Sequence, residues 1–147
     1  SDLVQKELVV EPIFLVGSPQ YLREHGTPHH PQDIAVHNGL LSIPGTDSWR
    51  LLHDDGEEIH AKPRLRMMAN ESTVLIRAAS AGLGLACLPS SICRDAIRSG
   101  ELLRILPRWS AGTVTTTILM PHRRGQLPGV RAVIDFLADQ LRKDGEG

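Results

Sequence analysis

The chain has 147 residues, enough for one domain with a real hydrophobic core, and 41% of them are hydrophobic, as in an ordinary globular protein. Only 3% are aromatic, which argues against a base-stacking platform for single strands, and 16 basic against 17 acidic residues leave a formal charge of −1, too balanced for a general attraction to nucleic acid or anionic membrane. No apolar run is long enough to span a bilayer, and SDLVQKELVV has neither the basic start nor the apolar core of a signal peptide.

In chain order, residues 8–16 are rich in Val, Ile, Leu and Phe and predict a strand, with Pro12 marking an irregular or edge start. Gly17 ends it. Ser18 is placed as an N-cap ahead of Pro19 at the first helical position, and a short helix through Tyr21 and Leu22 stops at Gly26. The Pro- and His-rich stretch that follows, with His25, His29, His30 and His37, has no Cys or acidic partner at a zinc-ligand spacing, so no metal is expected. One helical turn over residues 31–35 leads to a strand at 39–43. SWRLLHDDGEEIHAK then has two alternating arms around Asp54, Asp55 and Gly56, a hairpin signal, with Trp49 expected to anchor it on the core. The acidic run 54–58 reads as a solvated turn, since nothing there would desolvate a catalytic carboxylate.

Residues 64–68 alternate basic and apolar side chains, as a strand with one exposed face does. The next stretch, MANESTVLIRAASAGLGLACLP, predicts a helix, a tight turn and a buried strand. Asn70 is the expected N-cap with Ser72 and Thr73 beside it, Val74, Leu75, Ala78 and Ala79 form an apolar face, Gly82 ends the helix, and residues 83–88 form a core strand closed by Pro89. Free N–H groups and the positive dipole end at such a helix start suit an anion, although most capped helix starts bind only their own side chain or water. Cys87 and Cys93 lack redox or zinc spacing and read as reduced core residues, which fits a cytosolic setting. Ser90 or Ser91 caps a further helix carrying Ile92, Cys93, Ala96 and Ile97, ended by Gly100. Strands follow at residues 102–106 and 114–120, and after the basic turn HRRGQ a helix starts at Pro128 with an apolar stripe of Val130, Val133, Ile134, Leu137 and Leu141. The alternation of strands and helices predicts an α/β domain.

Four of these segments, in this order, resemble the effector domain of LysR-type transcriptional regulators: VGSPQYLREHGTPHHPQDIAVH, ESTVLIRAASAGLGLACLP, SGELLRILPRW and LPGVRAVIDFLADQL. The resemblance covers nearly the whole chain. It implies an α/β three-layer sandwich lobe of the type 2 periplasmic-binding-protein-like fold, with residues 1–121 as the second lobe and residues 122–147 as the crossover and C-terminal helix belonging to the first lobe. It also implies a small-molecule effector, anionic or carboxylate, held by Ser18, Asn70, Ser72, Thr73 and Pro89, with no cofactor. The remaining implications are a homo-oligomer in the parent protein, a cytoplasmic location, and DNA contact only through a helix-turn-helix that this stretch of sequence does not contain. The same fold serves solute-binding proteins of transporters, which is the alternative function. An enzyme is not expected, because the sequence has no GxSxG elbow, HExxH or P-loop. The two helix starts, at Ser18 and at residues 70–73, are expected to face one cleft, and the apolar stripe of the last helix is expected to be covered by fold-back or by a second copy.

Overall fold

In the computed structural model, which describes residues 3–121 and 128–145, one long strand ties the molecule together. β1 (Leu3–Gly17) is longer than its apolar stretch suggests, because it serves two sets of partners. Its first part pairs antiparallel with β9 (Thr113–Pro121), from Leu3 opposite Pro121 to Pro12 opposite Thr113, with a bulge between Glu7 and Val9. From Ile13 onward it lies between β6 (Leu85–Pro89) and β7 (Leu103–Ile105), antiparallel to both. The exchange of partners falls at Pro12, where a residue lacking an N–H costs a ladder least.

The remaining elements lie close to the sequence expectations. α1 (Pro19–His25) follows β1, a 3-10 turn covers Pro31–Val36, and β2 (Asn38–Ser42), β3 (Trp49–His53), β4 (Glu58–Ala61) and β5 (Arg64–Ala69) come next. α2 (Ser72–Ser80) precedes β6, and α3 (Ser90–Ser99) precedes β7. A two-residue strand, β8 (Trp109–Ser110), was not expected; it pairs with β3 to extend the β3–β4 hairpin into a small separate sheet. The main sheet runs in the order β5-β2-β6-β1-β7, and β2 lies parallel to both β5 and β6.

Alternation along the central strands builds three layers. Leu15, Leu41 and Leu85 point to one face, where they meet Tyr21 and Leu22 of α1, Ile34, and Trp49, Leu51 and Trp109 of the small sheet. Val16, Leu40, Ala86 and Leu88 point to the other, against Leu75, Ala78 and Ala79 of α2 and Cys93 and Ala96 of α3. A period of two on each strand sends neighbours to opposite faces, so both faces must be covered. Trp49 is buried as expected, and its indole reaches the space above Gly39, where an added Cβ would lie 3.5 Å from it.

Three expectations about the elements need correction. Neither Ser90 nor Ser91 caps α3: the cap position belongs to Pro89, both serines lie inside the helix, and there is no side-chain cap bond. Asn70 does not cap α2: the cap position belongs to Glu71, whose side chain makes no bond to the helix. The reason is that β5 continues to Ala69, whose carbonyl accepts the Ile43 N–H at 2.9 Å, so the chain is still extended there and the helix starts later. The apolar stripe of the last helix, α4 (Pro128–Gly145), is split. Ile134 and Ala138 fold back on Leu8, with Ile118, Met120 and Leu141 around them, whereas Val133 and Leu137 stand exposed beside Phe136. The stripe that meets the β1–β9 ribbon is 134, 138 and 141, turned one position from the expected one. The side chain of Val130 and the turn at residues 122–127 lie outside the described residues.

His37, only 4% exposed, shares a buried network with Tyr21, whose hydroxyl lies 2.9 Å from His37 Nδ1 and accepts the Asn38 N–H at 3.0 Å. Burial, helped by His25, holds the His37 pKa below the ordinary histidine value of about 6.5. The unfolded chain therefore takes up this proton first as pH falls. The His37 contribution to stability is complete above about pH 6.5 and is lost as pH drops from there through the folded value. Urea titrations across this range should show the midpoint falling on acidification, and His37→Asn should flatten that slope; an unchanged slope in the variant would exclude His37 as its source.

Candidate functional site

Because β2, β5 and β6 are parallel, their carboxyl ends share one edge of the sheet. Ser42, Ala69 and Pro89 end there, and Ile13, opposite Pro89, brings in β1 where it changes partners. α2 and α3 both start at this edge, so it receives two helix N-termini, a geometry that suits ligand binding at the ends of open α/β sheets.

The two helix starts differ. α3 is already served by a carboxylate: buried Glu11 accepts from Ser91 Oγ at 2.7 Å and from Ser91 N at 3.4 Å. α2 has no side-chain cap; the Val74 N–H reaches the Glu71 carbonyl at 3.2 Å, so the N–H groups of Ser72 and Thr73 are the ones left to solvent or a ligand. On the α1 face beside this edge opens a 390 Å³ depression bordered by Ile13, Leu41, the loop after β2 with Ser42, Thr46 and Ser48, Trp49, Cys87 and Ala111; no residue of α2 lines it. Thr46 Oγ1 donates to the Ser48 carbonyl at 2.7 Å, which shapes that loop.

The residues singled out from sequence do not all meet here. Asn70, Ser72 and Pro89 lie at this edge. Ser72 is on the side of α2 that carries Leu75 and Ala79, whereas the Thr73 side chain lines an outer groove with Ile76, Arg77, Ser80 and Glu101. Ser18 is elsewhere. It is a true cap, 2% exposed, its Oγ accepting from Tyr21 N at 3.0 Å, and it sits beside Gly82 at the far end of α2. One α2 length, about 13 Å by helical rise, separates it from residues 70–73, and α1 packs on the opposite face of the sheet from α2. The expectation of a shared cleft fails because β1 runs antiparallel to β6, so the end of β1 meets the start of β6.

Sequence reasoning missed the loop after β2. Its SIPGTDS composition is a turn signal at the end of a parallel strand, which was the available clue. Both cysteines are free thiols; burial raises Cys87 well above its ordinary value and pushes Cys93 up to about 11, so both are protonated at neutral pH. Among the described residues no group of three or more His, Cys, Asp or Glu is arranged to hold a metal ion, and no helix is long and apolar enough to cross a membrane. The edge offers hydrogen-bond donors and a helix dipole, the equipment of a binding site.

Comparison with known proteins decides the family. Residues 1–142 match the family described as LysR substrate binding domain. The chain belongs to the LysR substrate-binding domain family. It is similar to an uncharacterized HTH-type transcriptional regulator of Haemophilus influenzae, 31% identical over 84% of this chain and 43% of that protein. It is also similar to the HTH-type transcriptional activator AaeR of Escherichia coli, 26% identical over 99% of this chain and 48% of that one. This LysR-family chain thus spans less than half the length of these curated relatives. Among solved structures, the regulatory domain of AphB in Vibrio vulnificus superposes with a TM-score of 0.78 at 32% identity, over 95% of this chain and 70% of that one. The CrgA regulatory domain of Neisseria meningitidis, at 24% identity and a TM-score of 0.79, supports the fold, which is the type 2 periplasmic-binding-protein-like fold of LysR-type regulatory domains.

Proposed function

We propose that this chain is part of the effector-sensing domain of a LysR-type transcriptional regulator, and that the carboxyl edge of β2, β5 and β6 is one wall of its effector cleft. Residues 1–121 act as the second lobe, and residues 122–147 as the crossover and closing helix of the first, whose remaining parts would supply the other wall. The observation that carries this reading is the uncapped start of α2 at this edge, next to an α3 start already filled by Glu11. An anionic or carboxylate effector fits: it would take up the first-turn N–H groups of Ser72 and Thr73 and the Ser72 hydroxyl, with Asn70 and Pro89 bordering it. Ser18 is left out, because it lies beside Gly82 at the far end of α2 from this edge. In the parent protein the effector would shift the lobes, and with them a homo-oligomer that holds DNA through a helix-turn-helix, in the cytoplasm and without catalysis.

Ser72→Pro tests this. Glu71 has φ −125° and ψ 130°, the extended backbone a following proline requires, and proline is well tolerated at the first helical position, so the fold should survive. The substitution removes one N–H and one hydroxyl from the edge. In the full-length regulator the effector concentration for half-maximal response should rise about tenfold or more, the size of one charge-assisted hydrogen bond, with the melting curve unchanged. A normal response in a normally folded variant would count against the cleft assignment.

A further inference from the structure

The described residues pack as two bodies. The three-layer lobe holds the two large cores, and neither contains a residue of α4, of β9 or of β1 before Pro12. Those elements pack among themselves, with Leu8, Ile118, Met120, Ile134, Ala138 and Leu141 forming a third, smaller core. The backbone draws the same boundary. Up to Pro12, opposite Thr113, β1 is paired with β9, and its ladder to β6 starts only at Ile13, opposite Pro89. A two-stranded ribbon carrying one helix therefore leaves the main sheet without a ladder to β6 or β7 along its own length. Strand continuity alone does not fix the angle at which it leaves, because a two-stranded ribbon can twist and bend over a wide range.

α3 ties the two bodies together. At its start, the carboxylate of Glu11, only 7% exposed and the last ribbon residue before Pro12, accepts from Ser91 Oγ at 2.7 Å and from Ser91 N at 3.4 Å. In its second turn, Arg94 donates to the Lys143 carbonyl near the end of α4 at 3.0 Å. Taking a carboxylate out of water is costly even when it is hydrogen-bonded, and an apolar side chain of similar volume often stabilises a fold as well or better. What a buried charge can add is selection of one arrangement among several, since only one arrangement satisfies it. Glu11 stands where such selection matters most, beside a proline that offers no N–H and at the point where β1 changes partners.

We propose that the Glu11–Ser91 bond is an orientation latch, which sets the angle at which the β1–β9 ribbon and α4 stand on the three-layer lobe. Glu11 is a positioning residue and touches no ligand. Under the two-lobe organisation proposed for the parent protein, the same angle sets the opening between the lobes, and Ser91 lies at the start of a helix that begins on the effector edge. That consequence rests on the proposed function, whereas the latch is a property of this chain and needs no effector.

Residual dipolar couplings of the 15N-labelled chain test the latch without any ligand. Couplings from β2, β5 and β6 and those from the ribbon and α4 should fit one alignment tensor in the wild type and in Glu11→Gln, which keeps an oxygen to accept from Ser91. In the combined Glu11→Leu, Ser91→Ala variant the urea midpoint of the lobe should stay close to that of the wild type. The couplings of the ribbon and α4 should shrink there by at least about one third relative to those of the lobe. If that variant fails to fold, Ser91→Ala alone is read in the same way, alanine being the better helix residue. One shared tensor with undiminished couplings in the folded variant would overturn the proposal, because packing of α4 on α3 would then fix the angle. Separate tensors in the wild type or in Glu11→Gln would overturn it as well.

Discussion

Trp49→Ala is expected to lower the stability of the chain by about 3–5 kcal/mol, the usual cost of emptying a buried tryptophan site. The indole is the main apolar anchor at the start of β3, reaches over Gly39, and sits in the same core as Leu41, Leu51 and Ile34. Gly39 cannot be enlarged to fill the gap, because a Cβ there would come within 2.3 Å of Pro63 Cγ. Trp49 also borders the edge depression, so the variant should show a looser loop after β2 as well as a lower urea midpoint. A loss below about 1 kcal/mol would mean that the hairpin is held by its edge contacts and not by this side chain.

The second large effect concerns α4. Ile134→Asp puts a charge against Leu8, Ile118 and Met120, replacing about 1.5–3 kcal/mol of burial with an unpaired buried carboxylate. An 18-residue helix without its packing is marginal in water, so α4 should melt as a unit while the three-layer lobe, whose two cores contain no α4 residue, stays folded. Hydrogen exchange should show α4 amides losing protection while β1, β2 and β6 keep theirs. Protected α4 amides in the variant would show that its contacts with α3, including the Arg94 bond to the Lys143 carbonyl at 3.0 Å, suffice to hold it. The exposed Val133, Phe136 and Leu137, at 58%, 62% and 38%, form the face that the proposed first lobe would cover.

Much of this fold was legible from local chemistry. The Asp-Asp-Gly turn, the Ser18–Pro19 helix start and the small-residue turn at Gly82 each have a short-range cause, and each is where the sequence puts it. What was not legible depends on partners distant in the chain. β1 runs back to Leu3 because β9, a hundred residues on, offers a Thr-rich partner, and β8 exists because Trp109 meets His53. The Asn70 cap was lost to a strand hydrogen bond between Ile43 and Ala69, which no local pattern announces. The site followed the same rule: a helix start carries its own signal, but which helix starts share an edge is set by strand direction. Antiparallel β1 sent Ser18 to the wrong end, and parallel β2 brought in the loop around Thr46.

The proposed function rests on effector binding at the carboxyl edge of β2, β5 and β6. The most direct measurement is hydrogen exchange on the full-length regulator, with and without a carboxylate effector identified by thermal-shift screening. Binding should slow exchange in residues 42–48 and 70–73 and leave residues 17–21 around Ser18 unchanged. Protection appearing at residues 17–21 while the edge exchanges as before would contradict it.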